Sequence, residues 1–348
     1  MQTNEMDRVV FTASAEEELA RLLAAFAPED VFVLADGNTR RFLPGLLGGR
    51  WLSEERIATV PPGESSKSPE GAAAVWSVLH RGNARRSSLL VNVGGGVVTD
   101  LGGFAASVFK RGMAFVNVPT TLLAQVDASV GGKTGINFMG IKNEVGLFAF
   151  PERVIVSPGF LPSLPERELR SGLAEMLKHG LLDSPDHLRR VMSVDGRTVD
   201  SPEFLRLVRA SVAVKAAFVA RDPGERGPRR ALNLGHTVGH ALESLSWEDG
   251  APLSHGEAVA WGLVAELWLS VREKGFPRAV FEEVRAFVRR RYSPCLAGGR
   301  GERLLEIMSH DKKNDRPGVN FTLLEDVGKY TINNYCSPES VREALRMI

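Results

Sequence analysis

Cysteine is scarce in this chain. Its 348 residues contain two, Cys295 and Cys336, far apart and in no Cys-x-x-Cys pattern. The expectation is a pair of free thiols in a reducing compartment. Excess charge is lacking too: 43 Lys and Arg against 42 Asp and Glu leave a formal net charge of +1. Nothing global therefore points to nucleic acid or to a membrane surface, and any anion-binding power must come from local clusters of Lys and Arg. No window is apolar enough over sufficient length to span a bilayer, and the opening Met-Gln-Thr-Asn-Glu-Met-Asp-Arg has no signal-peptide core. A cytoplasmic protein without nucleic-acid or membrane partners is expected. Internal repeats, low-complexity tracts and long linkers are also missing. What remains has ordinary globular composition, 43% hydrophobic and 24% charged, and is long enough for two domains.

The two halves differ in periodicity. Up to about Phe160, short β-rich runs alternate with amphipathic stretches: Val9–Phe11, a helix at 16–26, Val31–Asp36, Ile57–Val60, a helix at 70–81, Leu89–Val93 and Phe115–Pro119. Alternation of this kind predicts a doubly wound parallel sheet covered on both faces. Beyond Leu161 the pattern is almost wholly helical, punctuated at Pro185, Pro202, Pro223, Pro252 and Pro277. An α/β nucleotide-binding domain (1–160) followed by an all-helical domain (161–348) is the expected fold.

Three places concentrate chemistry. Gly94-Gly-Gly-Val-Val-Thr-Asp100 follows a strand and opens a helix, where bare backbone N–H groups and the helix dipole favour a pyrophosphate. It does not match Gly-x-Gly-x-x-Gly. Asp36, at the end of the second strand, suits a ribose or adenine, with Glu64 and Lys67 as further contacts. A polar, glycine-rich segment after the strand ending at Pro119 holds Thr120, Thr121, Asp127, Lys133, Lys142 and Asn143. It is too polar for a core and reads as a loop at the carboxyl end of the sheet. Third, Asn233-Leu-Gly-His-Thr-Val-Gly-His-Ala-Leu-Glu and Ser254-His-Gly-Glu-Ala-Val contain three of the seven histidines. His236 and His240 share a helix face, and His255 heads the next apolar run. A lone pair of this kind would be ordinary helix residues. Together with His255, and with Glu175 beside the apolar stripe Leu169, Leu173, Met176 and Leu177, it suggests a divalent metal. Lys178, one turn on, could equally form a surface pair with Glu175.

These stretches, together with Pro119-Thr-Thr-Leu-Leu-Ala-Gln-Val-Asp-Ala-Ser-Val-Gly-Gly-Lys133 and Ala174-Glu-Met-Leu-Lys-His-Gly, resemble 3-dehydroquinate synthase, a sugar-phosphate cyclase family, in order and over nearly the whole chain. The resemblance implies conversion of the phosphorylated keto sugar acid 3-deoxy-D-arabino-heptulosonate 7-phosphate (DAHP) to 3-dehydroquinate and phosphate, on the shikimate route to aromatic amino acids. It implies transient oxidation by tightly bound NAD at a zinc- or cobalt-bound hydroxyl, phosphate elimination, re-reduction and aldol closure. By resemblance, Glu175, His236 and His255 are the metal ligands, whereas His240 faces the substrate phosphate with Lys133, Asn143 and Lys312. Arg111 reaches that phosphate from the other subunit of a homodimer. Lys215 and Arg229 take the substrate carboxylate; Asp127, Lys178, Glu225 and Asn233 line the reacting hydroxyls. Asp36, Glu64, Lys67, Gly95, Gly96, Asp100, Thr120, Thr121 and Lys142 match cofactor contacts. The rivals are aminodehydroquinate synthase or another cyclase and, more remotely, a metal- and NAD-dependent polyol dehydrogenase.

Overall fold

The structure is a computed structural model that describes residues 5–295, 299–309 and 318–348. The chain forms two compact units, Met1–Leu164 with Arg197–Ala216, and Pro165–Gly196 with Ala217–Ile348.

In the first unit, β1 (Val9–Phe11), β2 (Val31–Asp36), β3 (Ile57–Val60), β4 (Leu89–Gly94), β5 (Ala114–Pro119) and β8 (Arg153–Val156) form one sheet. Its order is β1-β8-β5-β4-β2-β3 and every pairing is parallel. Successive side chains alternate between faces. Val31, Val33, Ala35, Val91 and Val93 pack under α1 (Ala15–Leu23) and α2 (Leu43–Trp51). Phe32, Leu34, Ala58 and Leu90 point the other way, to α3 (Pro69–Arg81) and α4 (Gly96–Val108). Strand order reverses between β2 and β4, so their carboxyl ends flank the crevice where such sheets bind ligands. Register aligns Ala35 with Val93, and the Thr39 hydroxyl donates to the Val93 carbonyl at 2.8 Å, tying the two strand ends together.

Two features of this unit escape the sequence pattern. The stretch read as a polar loop is an antiparallel ribbon of β6 (Lys133–Phe138) and β7 (Ile141–Phe148). Residues 197–216, which include most of α7 (Pro202–Arg221), group with the first unit, so a single cut at 160 does not describe the chain. Arg209 lies over the Phe11 ring at 5.6 Å, one contact that holds them there.

The second unit contains α5 (Glu166–Asp183), α6 (Pro185–Met192), α8 (His236–Glu248), α9 (His255–Lys274), α10 (Arg278–Arg291), α11 (Gly301–Ser309) and α12 (Pro338–Leu345). The expectation of an all-helical half is corrected here: β9 (Val319–Asp326) and β10 (Lys329–Cys336) form an antiparallel hairpin. Val319, Phe321, Leu323 and Leu324 of β9 are buried, which a helical face would not require in that spacing. The proline breaks coincide with helix boundaries: Pro185 and Pro202 are first residues and Pro277 is an N-cap. Cys295 and Cys336 are in no disulfide among the described residues. Among the described residues no helix is long and apolar enough to cross a membrane.

Close helix–sheet packing has a testable cost. A Cβ on Gly102 of α4 would lie 1.9 Å from Oδ1 of the fully buried Asn92 of β4, which is itself bonded to Asn117. Gly102→Ala is expected to lower stability by roughly 1–3 kcal/mol, the range for overpacking, despite the better helix propensity of alanine. Urea unfolding checks the sign; a stabilised variant would show that the helix is free to shift.

Candidate active site

In the first unit the strand ends carry polar side chains already engaged with one another. Asp36 Oδ1 accepts from the N–H groups of Asn38 and Thr39, both at 2.8 Å. Gly95 is the N-cap of α4 and Gly96 its first residue; a Cβ on Gly95 would press on the Thr121 methyl at 3.0 Å. Thr120 is buried and its N–H donates to the Gly94 carbonyl at 2.9 Å. Lys67, 5% exposed, pairs with Asp100 at 2.5 Å and also donates to the Asn143 side chain. Burial raises the Asp100 carboxyl even though the Lys67 ammonium opposes it. Glu64 accepts from Asn137 at 2.8 Å. The structure thus brings Glu64, Lys67, Asp100 and Asn143 together through the β6–β7 ribbon, beside the glycine turn.

Asp127 sits in a π-helical turn, Ala124–Ala128. Lys215 donates to its carbonyl at 2.6 Å and to its carboxylate at 2.7 Å. Lys133, Lys142 and Arg111 are exposed, and Arg111 follows Lys110 in the left-handed backbone region, at φ 66°. Lys312 lies outside the described residues.

The second unit gathers the histidines. His236 and His255 are the first residues of α8 and α9, and Glu175 lies midway along α5. Glu175 Oε1 is 3.3 Å from His236 Nε2 and 3.4 Å from His255 Nε2. His240 is outside this donor set; its ring centroid is 5.4 Å from that of His236 and 6.1 Å from that of His255. Tetrahedral zinc with bonds of about 2.0–2.1 Å places neighbouring donors about 3.3–3.4 Å apart, so these separations suit one ion. Glu175 is fully buried, and neither carboxylate oxygen accepts a hydrogen bond of ordinary geometry, although Lys178 is ion-paired to it. A desolvated carboxylate so placed is what a cation offsets.

The imidazoles are oriented from behind. His236 Nδ1 contacts the Leu234 carbonyl at 3.1 Å, leaving Nε2 forward; Glu243 Oε2 stands 3.6 Å from His255 Nδ1. Burial raises the Glu175 carboxyl, but Lys178 and His236 outweigh it and hold it well below the carboxylate range. Burial, then the Lys178 charge, lower His236 and favour the neutral ring a metal needs. Burial also disfavours charge on His255, but Glu175 and Glu243 push it up to about 9. A cation at the focus would reverse that preference, because it repels the ring proton.

Nearby in the same unit, Asp222 organises a loop by accepting main-chain N–H bonds from Arg226, Gly227 and Arg229, at 3.0, 2.7 and 3.2 Å. Arg229 is 1% exposed and donates to the Pro223 carbonyl at 2.8 Å; Asn233 donates to Glu225 at 3.1 Å. Glu243 and Asp222 were not singled out by motif reading. Each has a faint signal, an acid one helical turn beyond His240 and an acid ahead of a Pro-Gly turn.

The family model described as 3-dehydroquinate synthase N-terminal matches residues 57–171, and that described as 3-dehydroquinate synthase C-terminal matches residues 172–314. The chain belongs to the 3-dehydroquinate synthase family. A 3-dehydroquinate synthase of Parabacteroides distasonis is 42% identical over 340 residues, 97% of this chain and 96% of its own. One from Latilactobacillus sakei is 41% identical over 277 residues, 79% of this chain and 76% of its own. Solved structures share the fold. ValA, the 2-epi-5-epi-valiolone synthase of Streptomyces hygroscopicus with NAD+ and Zn2+ bound, has TM-score 0.84 at 24% identity, covering 97% of this chain and 95% of that one. A 2-deoxy-scyllo-inosose synthase complexed with carbaglucose-6-phosphate, NAD+ and Co2+ has TM-score 0.80 at 22% identity, covering 95% of each.

Within this 3-dehydroquinate synthase family member, His236 and His240 can be separated by experiment. His236→Ala removes a donor from the convergent set, whereas His240→Ala does not. Metal analysis of the purified variants is expected to find zinc lost from the first and kept by the second. Equal loss from both would restore the i,i+4 pair as ligands.

Proposed function

We propose that the protein is a 3-dehydroquinate synthase acting on DAHP, with its metal held by Glu175, His236 and His255. The observation that supports this most is the convergence of the Glu175 carboxylate with two imidazole Nε2 atoms beside the buried Lys178, in a chain of this family. On this reading residues 1–160 are chiefly the NAD-binding domain and 161–348 chiefly the metal- and substrate-binding domain. When bound, the metal supplies Lewis acidity at the substrate hydroxyl, and NAD accepts and returns a hydride.

The chain's own residues position and neutralise the substrate. Arg229 and Lys215 take its carboxylate; Arg229 is held by Pro223 and the Asp222 loop, a rigid mount for a bidentate cation. His240, Lys133, Asn143 and Lys312 face its phosphate. Lys178, Asp127, Glu225 and Asn233 line the reacting hydroxyls, where Lys178 holds a positive charge against developing oxyanions. Gly95 and Gly96 leave the start of α4 open to a pyrophosphate, with Asp36, Glu64, Lys67, Asp100, Thr120, Thr121 and Lys142 around the rest of the cofactor. A cytoplasmic setting follows from the biosynthetic role.

Purified protein given DAHP, NAD and zinc or cobalt is expected to release phosphate and form dehydroquinate in equal amounts. Exhaustive chelation, or His255→Ala, should abolish turnover while NAD affinity stays near that of the untreated enzyme. Full activity in demetallated protein would overturn the metal assignment. Turnover only with the amino analogue of DAHP would instead identify an aminodehydroquinate synthase, and simple NADH accumulation from a polyol a dehydrogenase.

We further propose a homodimer in which Arg111 completes the partner's phosphate site, a reading supported by its exposed position on a left-handed turn. Inactive Arg111→Ala and Lys215→Ala subunits, mixed under conditions where tagged chains exchange, are expected to regain activity, since one site per heterodimer then lacks both lesions. No recovery despite proven exchange would place Arg111 within its own subunit's site.

A further inference from the structure

Glu266 of α9 is fully buried and belongs to none of the sets above. Its Oε2 accepts the N–H of Gly235 at 2.6 Å, and its Oε1 accepts the N–H of Val238 at 3.1 Å. Gly235 is the N-cap of α8, and its own side chain cannot cap. Helix starts leave their first N–H groups without intrahelical partners. Two of those groups here are satisfied from a different helix, by a carboxylate on the favourable side of the α8 dipole.

The residue so placed in space is His236. It is the first residue of α8, enclosed in sequence between the two amides that Glu266 holds. Gly235 has φ 79°, and the carbonyl just before it, that of Leu234, is the one that orients His236 Nδ1. The approach of α9 that makes this possible depends on Gly262, where a Cβ would fall 2.0 Å from the Gly235 carbonyl oxygen. An apolar residue at 266 would leave two buried donors unpartnered at the turn that aims the imidazole.

We infer that Glu266 is a positioning residue for the metal site: it fixes the first turn of α8 so that His236 Nε2 meets the Glu175 carboxylate. This inference rests on the proposed metal-binding role of Glu175, His236 and His255. Through Glu266, α9 holds both imidazoles, His255 covalently and His236 by hydrogen bonds to its turn.

Glu266→Gln tests it with little change of volume, because the amide keeps one acceptor and turns an NH2 toward the other N–H. Zinc affinity of the full-length enzyme, measured by competition with a chromophoric chelator, is expected to fall about 10–100-fold, the range for partners that orient metal ligands. The absorption bands of the cobalt-loaded variant should shift, and NAD affinity should not change. Leu267→Ala, a buried apolar truncation on the same helix, is expected to lower Tm without altering zinc affinity or the cobalt spectrum. Wild-type zinc affinity and spectrum in Glu266→Gln overturn the inference, as does a loss of affinity in Leu267→Ala proportionate to its loss of Tm. In metal-free wild-type protein the Gly235 and Val238 amides should exchange as slowly as those in the middle of α8. Fast exchange there overturns it too, whether or not the variant folds. A wild-type protein that binds no zinc at these residues sinks the metal assignment itself, which separates the two failures.

Discussion

Backbone-to-backbone contact among three helices is the constraint on which the second unit depends. At Gly256, α9 lies so close to α5 that a Cβ would sit 2.3 Å from the Cα and carbonyl oxygen of Ser171. The Gly256 N–H, one of the unpaired donors at the start of α9, is taken up by the Ser171 hydroxyl at 3.0 Å. Six residues on, Gly262 lets the same helix meet the first turn of α8. Side chains of ordinary size would hold helix axes about 8–10 Å apart. Bare crossings bring the two helix starts and the middle of α5 within reach of short side chains, which is why a carboxylate and two imidazoles converge.

Convergence has an electrostatic consequence. Glu175 and Lys178 are 0% and 1% exposed, and an ion pair that deep is rarely stabilising relative to apolar residues of the same volume. Its presence is better explained by chemistry than by folding. Lys178 holds Glu175 ionised against its burial, and burial together with the Lys178 charge keeps His236 neutral, the protonation states that the proposed ligand set needs. The first unit repeats the arrangement on a smaller scale, with Lys67 set between Asp100 and Asn143 at the glycine turn.

Much of the fold was legible because period and punctuation agree. Strands at 31–36, 57–60 and 89–94 are apolar runs ended by Asp, Pro or Gly, and prolines open or close the later helices. The β6–β7 ribbon was not legible: its exposed Lys142, Asn143 and Glu144, with glycines at 135, 140 and 146, give the composition of a loop, and its strand pairing is long-range information. The β9–β10 hairpin hid for a related reason, standing alone within a helical half. At the site, spacing picked out His236 and His240, because only intrahelical neighbours can be read from i,i+4. That Nε2 of His255, rather than that of His240, shares a carboxylate oxygen with His236 depends on how α8 and α9 cross, and only the motif resemblance anticipated that grouping. Glu266 carried no signal at all, since an acid in the middle of an apolar helix gives no hint of the amides it will meet.

The Gly256 crossing also limits how the donor cluster can deform. With His255 on α9 and the first turn of α8 bonded to Glu266 of the same helix, a shift of α9 is expected to carry both imidazoles together. The Glu175 carboxylate, carried by α5, is then the single independent coordinate. The separation between that carboxylate and the imidazoles is therefore set mainly at one point of contact, Gly256 against Ser171, about one turn of α5 before Glu175. For the ion proposed there, the fit would thus be gauged by helix spacing more than by side-chain rotamers.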